Sequence, residues 1–388
     1  MIKKKIIKFN KYIFEKKDLR FFDQCVKTSN ISSNHLYQEK CQKLVDKLFN
    51  FKNSYITNSC TSALEAAALA LDIKVNDEVL IPSYTFVTCA SIFANFGANI
   101  KFLDCNPDTL TVDLSIIKKS VTKKTKALIV MHYSGVALEI DKIKAFCKKK
   151  NIFLIEDAAQ CIGAKYKNKY LGSFGDMATF SFHETKNISC GEGGLLVLNN
   201  KKLLKKAKIV CLKGTNRAAF EENKTKYYTW VGKGFSALAS DLTCSILYSQ
   251  LIQYKEKNNL RKKLWNNYYN FFSSYKKNNI FKYPNKKNFK ESNYHIFFII
   301  YKSKKIRDEY IKFMKQKGIS CVFHYLPLHK SPGGSKFTPQ KNEEKFIVTN
   351  NVSNRIVRLP LHNHLSFKEQ SKIINKSKYF LESHNLKL

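Results

Sequence analysis

Acidic residues are scarce in this 388-residue chain: 30 Asp and Glu stand against 68 Lys and Arg, a formal net charge of +38. An excess of that size raises the question of nucleic-acid binding. Against it, arginine is rare, Asn and Ile are abundant, and the lysines are spread along the chain, as in KNKKNFK and CKKKN. That pattern is codon drift toward surface lysine, with a mild attraction to small anions as its consequence. No C-x-x-C pair occurs among the eleven cysteines, at positions such as Cys60, Cys89, Cys161 and Cys321. Zinc ribbons and dithiol redox motifs are thereby excluded, and free, mostly buried thiols in the reducing cytoplasm are expected. The first 30 residues lack a long apolar run, so neither a signal peptide nor a membrane-spanning helix is expected. Repeats and low-complexity linkers are also missing. What is present is a 44% hydrophobic chain, long enough for two or three domains with a large core.

From residue 54 to about 200, short apolar runs alternate with helical patterns. SYIT (54–57), DEVLIPS (77–83), NIKFLDC (99–105), KALIVMHYSG (126–135) and NIFLIEDAA (151–159) read as strands. SCTSALEAAALALDI (59–73), TFVTCASIFANFG (85–97) and EIDKIKAFCKKK (139–150) read as helices between them. Strands buried on both faces and separated by helices predict a doubly wound, mostly parallel sheet, with ligands at the strands' carboxyl ends. After GEGGLLVLNN (191–200) the pattern changes. YHIFFIIYK (294–302), a helix over 307–318 and a strand over SCVFHYLPLH (320–329) predict a smaller α+β domain. The expected division is a segment 1–50 packing with the small domain, a large domain 51–250 and a small C-terminal domain 251–388.

Three features fall at predicted strand ends. Asp157 closes IFLIEDAAQ, which poises a carboxylate over the crevice, although a helix N-cap is an equally ordinary role for it. Thr61 and Ser62 lie at a strand-to-helix turn, where free amides and the helix dipole suit a phosphate. Ser181 and Lys186 lie in FSFHETKN, after a strand and before the glycine-rich CGEGG. A lysine there is not an ordinary solvated one, although by itself a structural lysine is the plainer reading. Burial lowers its pKa and favours the neutral amine that imine formation requires. An amine, a strand-end carboxylate and a phosphate cradle are together what pyridoxal 5′-phosphate requires.

The stretches NSCTSALEAAALAL, DEVLIPSYTFV, MHYSGV, IEDAAQ, FSFHETKN, GEGG and FHYLPLH, in this order over roughly residues 30–365, resemble the DegT/DnrJ/EryC1/StrS family of sugar aminotransferases. LKGTNRAAF (212–220) and YTWVGKG (228–234) add to the likeness. The resemblance implies an α/β fold of the type I pyridoxal-phosphate aminotransferases, with a mostly parallel seven-stranded sheet between helices and a smaller α+β C-terminal domain. It implies Lys186 as the cofactor-bearing lysine and proton carrier, Asp157 at the pyridinium nitrogen and Gln160 at the ring's phenolic oxygen or the nearby ring edge. Ser181, Thr61 and Ser62 would hold the phosphate, and Phe86 would stack on the ring. It further implies a homodimer. Ser236 stands where relatives often carry an Asn that reaches a phosphate across the subunit interface, which puts that contact in question. His183 is given no catalytic role. His329 and Arg217 are candidates for substrate contacts, Arg217 because a guanidinium makes bidentate bonds that Lys cannot.

The activity implied is transfer of an amino group from L-glutamate to a nucleotide-linked keto sugar for surface polysaccharide, with dTDP-4-keto-6-deoxyglucose the expected acceptor. Another 3- or 4-keto nucleotide sugar is the alternative within the class. A non-catalytic regulator or nucleic-acid-associated protein on the same fold is the alternative outside it. No metal, nucleic acid or membrane partner is expected.

Overall fold

The computed structural model describes residues 6–275, 280–338 and 345–383. Strands β1 (Ser54–Thr57), β2 (Glu78–Pro82), β3 (Asn99–Leu103), β4 (Thr125–Met131), β5 (Phe153–Asp157), β8 (Met177–Ser181) and β9 (Gly194–Leu198) form one seven-stranded sheet in the order β1-β9-β8-β5-β4-β2-β3. A two-stranded hairpin, β6 (Lys165–Tyr166) and β7 (Lys169–Tyr170), lies apart from it. The pairs β3–β2, β2–β4, β4–β5 and β5–β8 are parallel, and β9 runs antiparallel to both β8 and β1. β4, β5, β8 and β9 are almost entirely buried, because helices cover both faces of the sheet.

Register decides what meets at the carboxyl edge. Gly194 pairs with Ser181 on one side and with Thr57 on the other. Asp157 pairs with Thr179, two residues back from Ser181. The ends of β5, β8 and β1 therefore converge beside the start of β9.

The helix Cys60–Ala70 follows β1 directly and is capped by Ser59, whose Oγ accepts the Ser62 amide at 3.0 Å. The helix expected over 85–97 begins at Thr88 and ends at Asn95. Residues 83–87 instead form an irregular turn, which leaves Phe86 exposed at the sheet edge.

The smaller sheet, β10 (Phe281–Lys282), β11 (Phe298–Tyr301) and β12 (Ile356–Arg358), is antiparallel. The helices Tyr254–Ser274, Lys304–Gln316 and Phe367–Ser383 pack on it around an aromatic core that includes Trp265, Tyr268, Phe297, Tyr310 and Phe380. The strand expected over 320–329 does not form. Only Val322 bridges to Arg358, and Pro327 leads into a short 3-10 turn at Leu328–Lys330. The segment before residue 50, expected against the small domain, divides. Ile7 pairs with Ile319 of that domain, while the helices Lys16–Lys27 and Leu36–Phe49 pack on the helix Asp241–Ile252.

All eleven cysteines are free, and all but Cys60 are buried. Among the described residues no helix is long and apolar enough to cross a membrane. No cluster of His, Cys, Asp and Glu gathers there as a metal site.

One buried group fixes the end of β5. Glu156 is fully buried and accepts the amides of Gly172, Phe174 and Gly175 at 2.8, 2.7 and 2.6 Å and pairs with His132 Nε2 at 3.0 Å. Desolvation opposes its charge, but the His132 bond and the amides outweigh that and hold its pKa below the usual glutamate value. Because its pKa is depressed on folding, the stability it gives is present above the unfolded glutamate value and lost as pH falls through the folded one. Glu156→Ala leaves three amides without an acceptor, a loss of about 3–5 kcal/mol. Denaturant unfolding of the apoprotein measures it, and an unchanged midpoint would contradict this role for Glu156.

Candidate active site

A cavity of about 790 Å³ opens at the converging strand ends. That is within the size of cofactor and small-molecule pockets, roughly 300–1,000 Å³. Its wall brings together Ser59, Cys60, Thr61, Phe86, Asp157, Gln160, Ser181 and Lys186 from the large sheet, and His295, His324, Tyr325 and Arg358 from the smaller domain.

Lys186 stands on the loop that joins β8 to β9. The Phe182 amide donates to the Gly193 carbonyl at 2.8 Å and the Glu184 amide to that of Gly191 at 2.8 Å, so the loop folds back on itself. Gly191 turns it at φ +88, a conformation that side chains with a Cβ rarely adopt. The next residue, Asn187, is pinned from three sides. Its Nδ2 donates to Asn293 O at 2.8 Å, its Oδ1 meets His295 Nδ1 at 2.7 Å, and its carbonyl accepts Asn363 Nδ2 at 2.7 Å. The lysine stem is half-buried, with its surface turned to the cavity. Desolvation lowers its pKa from the ordinary lysine value; Cys60 and Asp157 oppose that shift and Arg358 adds to it.

Asp157 is 3% exposed at the end of β5. Its Oδ1 accepts the Ala159 amide at 3.0 Å and its Oδ2 accepts the Cys89 thiol at 2.9 Å. Burial, with Asp157 next to it, pushes the Cys89 thiol well above its usual range, so it stays a donor. The carboxylate is thus held at both oxygens in a cavity that also holds an amine.

At the helix that follows β1, Ser59 caps Ser62, and the first intrahelical bond runs from the Ala63 amide to the Ser59 carbonyl. The Cys60 and Thr61 amides find no protein acceptor among the described residues, and both residues line the cavity. An anion meets amides and a positive dipole end there. β9 starts tight against this turn: a Cβ on Gly194 would lie 2.4 Å from the carbonyl of Ser59 and 2.5 Å from the Cys60 nitrogen. Gly194→Ala therefore displaces the cradle. The expected result is cofactor affinity weakened about tenfold or more by loss of an anion contact, read by fluorescence titration of the apoprotein with pyridoxal phosphate. Equal affinity would show that the turn does not carry the phosphate.

The remaining expected residues separate into two groups. Gln160 lines the cavity, with Oε1 accepting the Ser134 amide at 2.6 Å and Nε2 donating to the Tyr325 hydroxyl at 2.9 Å. Ser181 and Phe86 also line it, and Phe86 is 53% exposed. Ser62 does not; its hydroxyl turns back to Asn58. His329 is buried away from the wall, its Nδ1 2.6 Å from Ser83 Oγ and its ring stacked 3.9 Å from Phe346. Arg217 lies on the surface helix Arg217–Glu221, paired with Glu221 at 2.7 Å, and is not part of the wall. Ser236 is exposed, its carbonyl accepting Asn58 Nδ2 at 3.1 Å.

Sequence reasoning missed His295, His324, Tyr325 and Arg358. His295 and His324 are pushed well below the usual histidine range, by desolvation first and then by the charges of Lys186 and Arg358, so both are neutral near pH 7. His324 Nδ1 meets the Tyr133 hydroxyl at 2.6 Å, and its ring stacks on Tyr325 at 3.8 Å. The FHYLPLH motif held two of these residues, but the strand expected there gave no reason to select them.

Among known proteins, the chain is 35% identical to GDP-perosamine synthase of Escherichia coli O157:H7 over 187 residues, 48% of this chain and 51% of that protein. It is 29% identical to the spore coat polysaccharide biosynthesis protein SpsC of Bacillus subtilis over 330 residues, 83% of this chain and 84% of that one. A putative sugar aminotransferase of Streptococcus pneumoniae, solved in its pyridoxamine-phosphate form, superposes with a TM-score of 0.87 at 22% identity, covering 97% of this chain and 99% of that one, which shows the fold. The model of the DegT/DnrJ/EryC1/StrS aminotransferase family matches residues 14–378. With an amine, a clamped carboxylate and an amide cradle around one cavity, the chain belongs to that family and is a pyridoxal-phosphate-dependent aminotransferase.

Proposed function

We propose that the enzyme transfers an amino group from L-glutamate to the C4 carbon of a nucleotide-linked keto sugar, dTDP-4-keto-6-deoxyglucose, in two successive half-reactions. The observation that carries this reading is the meeting of Lys186 and Asp157 on one cavity wall beside the open first turn of the helix Cys60–Ala70. Pyridoxal phosphate, when bound, supplies an aldehyde for amine exchange and an electron-withdrawing ring. The residues do the rest. Lys186, with its pKa lowered by desolvation, holds the cofactor between turnovers. Once released, its amine takes a proton from the donor's α-carbon in the first half and hands one to the sugar carbon in the second. Asp157, fixed by Ala159 and Cys89, keeps a proton at the ring nitrogen. The Cys60 and Thr61 amides with Ser181 hold the phosphate, Phe86 covers the ring, and Gln160 with Tyr325 borders its edge. Ser62, expected beside Thr61, acts instead as the capped residue that shapes the turn.

The sugar acceptor is supported by the relatives' names, one a GDP-perosamine synthase and the other a polysaccharide biosynthesis protein. A homodimer is part of the proposal. Tyr227, Tyr228, Trp230 and Val231 are 77, 52, 79 and 49% exposed on one loop, an apolar patch that a second copy would cover.

Incubation with L-glutamate and a panel of keto sugars carried by dTDP, UDP and GDP, with the amino sugar identified by mass and NMR, tests the assignment. Formation of a 4-amino-4,6-dideoxy sugar on dTDP is expected. Exclusive use of a 3-keto or GDP-linked sugar would move the reading to that acceptor, and no amination of any sugar would overturn it.

A further inference from the structure

The scheme above leaves a fully buried cation without a task. Arg261, on the helix Tyr254–Ser274, is one of only six arginines in a lysine-rich chain and is 2% exposed. Among the described residues no carboxylate pairs with it. Desolvation alone lowers its pKa, to about 9, so it is still charged at neutral pH. A buried charge without a counter-ion is costly unless its donors are satisfied. Here they are. Nε donates to the Tyr294 carbonyl at 3.3 Å, Nη2 to the carbonyls of His295 and Leu361 at 2.6 and 2.9 Å, and Nη1 to Asn363 Oδ1 at 3.3 Å. A planar fork of donors can bridge several acceptors in this way, and a lysine's point charge cannot.

The acceptors lie on two segments, Tyr294–His295 leading into β11 and Leu361–Asn363 leading out of β12. The same two segments grip Asn187, the neighbour of Lys186. His295 Nδ1 lies 2.7 Å from Asn187 Oδ1, and Asn363 Nδ2 donates to the Asn187 carbonyl at 2.7 Å. The third anchor, the Asn293 carbonyl, belongs to the residue before Tyr294. The guanidinium thus stands directly behind every anchor of Asn187. It also fixes their polarity. With Oδ1 facing a cation, the Asn363 amide must turn Nδ2 to Asn187. Asn187 Nδ2 is already given to Asn293, so its Oδ1 accepts, and His295 carries its proton on Nδ1. Desolvation first, then the charges of Lys186, Arg261 and Arg358, keep that imidazole neutral, which leaves a single tautomer.

We propose that Arg261 is a positioning residue for Lys186: its guanidinium clamps the segments before β11 and after β12 in the one arrangement that grips Asn187, and so sets where the Lys186 amine stands in the cavity. The inference rests on the reading of Lys186 as the cofactor-bearing lysine. Arg261 does not line the cavity itself, so its effect reaches the chemistry through Asn187.

The test compares the parent with Arg261→Met, which keeps the bulk and removes the donors, Arg261→Lys, Asn187→Ala and the Arg261→Met/Asn187→Ala double variant. Hydrogen exchange of the apoprotein, read over the loop 182–193 with β4 as the reference, needs no cofactor. In the holoenzyme, loss of the bound cofactor's visible band with L-glutamate separates the maximal rate from half-saturation. In Arg261→Met the loop amides are expected to exchange about tenfold faster or more while β4 is unchanged. The maximal rate falls about 10- to 100-fold, with half-saturation within about threefold of the parent, because the amine is displaced and the donor's own contacts are not. Arg261→Lys recovers only part of each loss. Asn187→Ala reproduces both effects, and adding Arg261→Met to it slows the rate by less than about threefold more. Unchanged loop exchange would overturn the proposal. Equal acceleration at β4 would also overturn it and make Arg261 a general stabiliser of the fold. So would a rise in half-saturation at unchanged rate, or full additivity of the two substitutions. If Arg261→Met does not fold, Asn363→Ala, which cuts one link and leaves the guanidinium in place, decides by the same split between rate and half-saturation. If the parent carries its cofactor on another lysine while loop exchange still depends on Arg261, the reading of Lys186 fails and the clamp on Asn187 stands.

Discussion

Lys186→Ala folds, keeps a native circular dichroism spectrum and loses transaminase turnover by at least about 10³- to 10⁴-fold, the combined loss of a nucleophile and a proton carrier. The loop that carries position 186 does not depend on the amine. Its shape comes from backbone bonds, Phe182 to Gly193 and Glu184 to Gly191, and from the three-sided anchoring of Asn187. Removing the side chain therefore takes away chemistry and leaves architecture. It also removes a desolvated cation, so the apoprotein is not destabilised by the change. The pH dependence separates the variants further. The folded pKa of Lys186 lies below the ordinary lysine value of 10.5. The unfolded chain thus binds more protons between the two values, and apoprotein stability gained from this group rises with pH across that window. Lys186→Met removes this slope, which paired urea titrations at several alkaline pH values measure. Turnover within tenfold of the parent in Lys186→Ala would contradict the mechanism.

The second large effect belongs to Asp157→Asn. The substitution keeps the size and planarity of the side chain and removes its charge. An amide oxygen at this position can still accept either the Ala159 amide or the Cys89 thiol, so the end of β5 stays in place. What is lost is an ionised partner for a protonated ring nitrogen, in a site where burial at 3% exposure leaves little water to substitute. Fixed charge stabilisation of this kind is worth roughly 3–4 kcal/mol when one partner is removed, or about 10²- to 10³-fold in kcat. The bound cofactor's absorbance should lose its normal pH behaviour along with the rate. A rate within a factor of about three of the parent would show that Asp157 does not face the ring.

Much of this site was legible because the sheet imposes it. Alternating apolar runs and helices fix a doubly wound sheet, such a sheet gathers its ligands at strand ends, and Asp157 and Ser181 sit at those ends by register, with Thr61 in the helix turn just beyond β1. Lys186 was legible for a different reason, as a cation inside a stretch too apolar and glycine-rich for a solvated one. The other residues depend on partners, remote or local, that the pattern of the sequence does not reveal. Nothing near His329 reveals that Ser83, 246 residues away, takes its Nδ1. Arg217 was singled out as a rare guanidinium, yet its partner is Glu221 one helical turn on, while Arg358 is the guanidinium that reaches the cavity. Ser62 and Thr61 are neighbours at one helix start, and which of them turns inward depends on the cap made by Ser59. The missing strand over 320–329 has a local origin: an apolar run with aromatic content fits a strand by pattern, but Pro327 and the stacking of His324 on Tyr325 hold it as an irregular wall of the cavity.

The point of cofactor attachment tests the central claim most directly. Holoenzyme reduced with borohydride, digested and mapped by mass spectrometry is expected to carry the reduced cofactor on the peptide containing Lys186. Attachment at any other lysine, or release of the cofactor unbound, would contradict it.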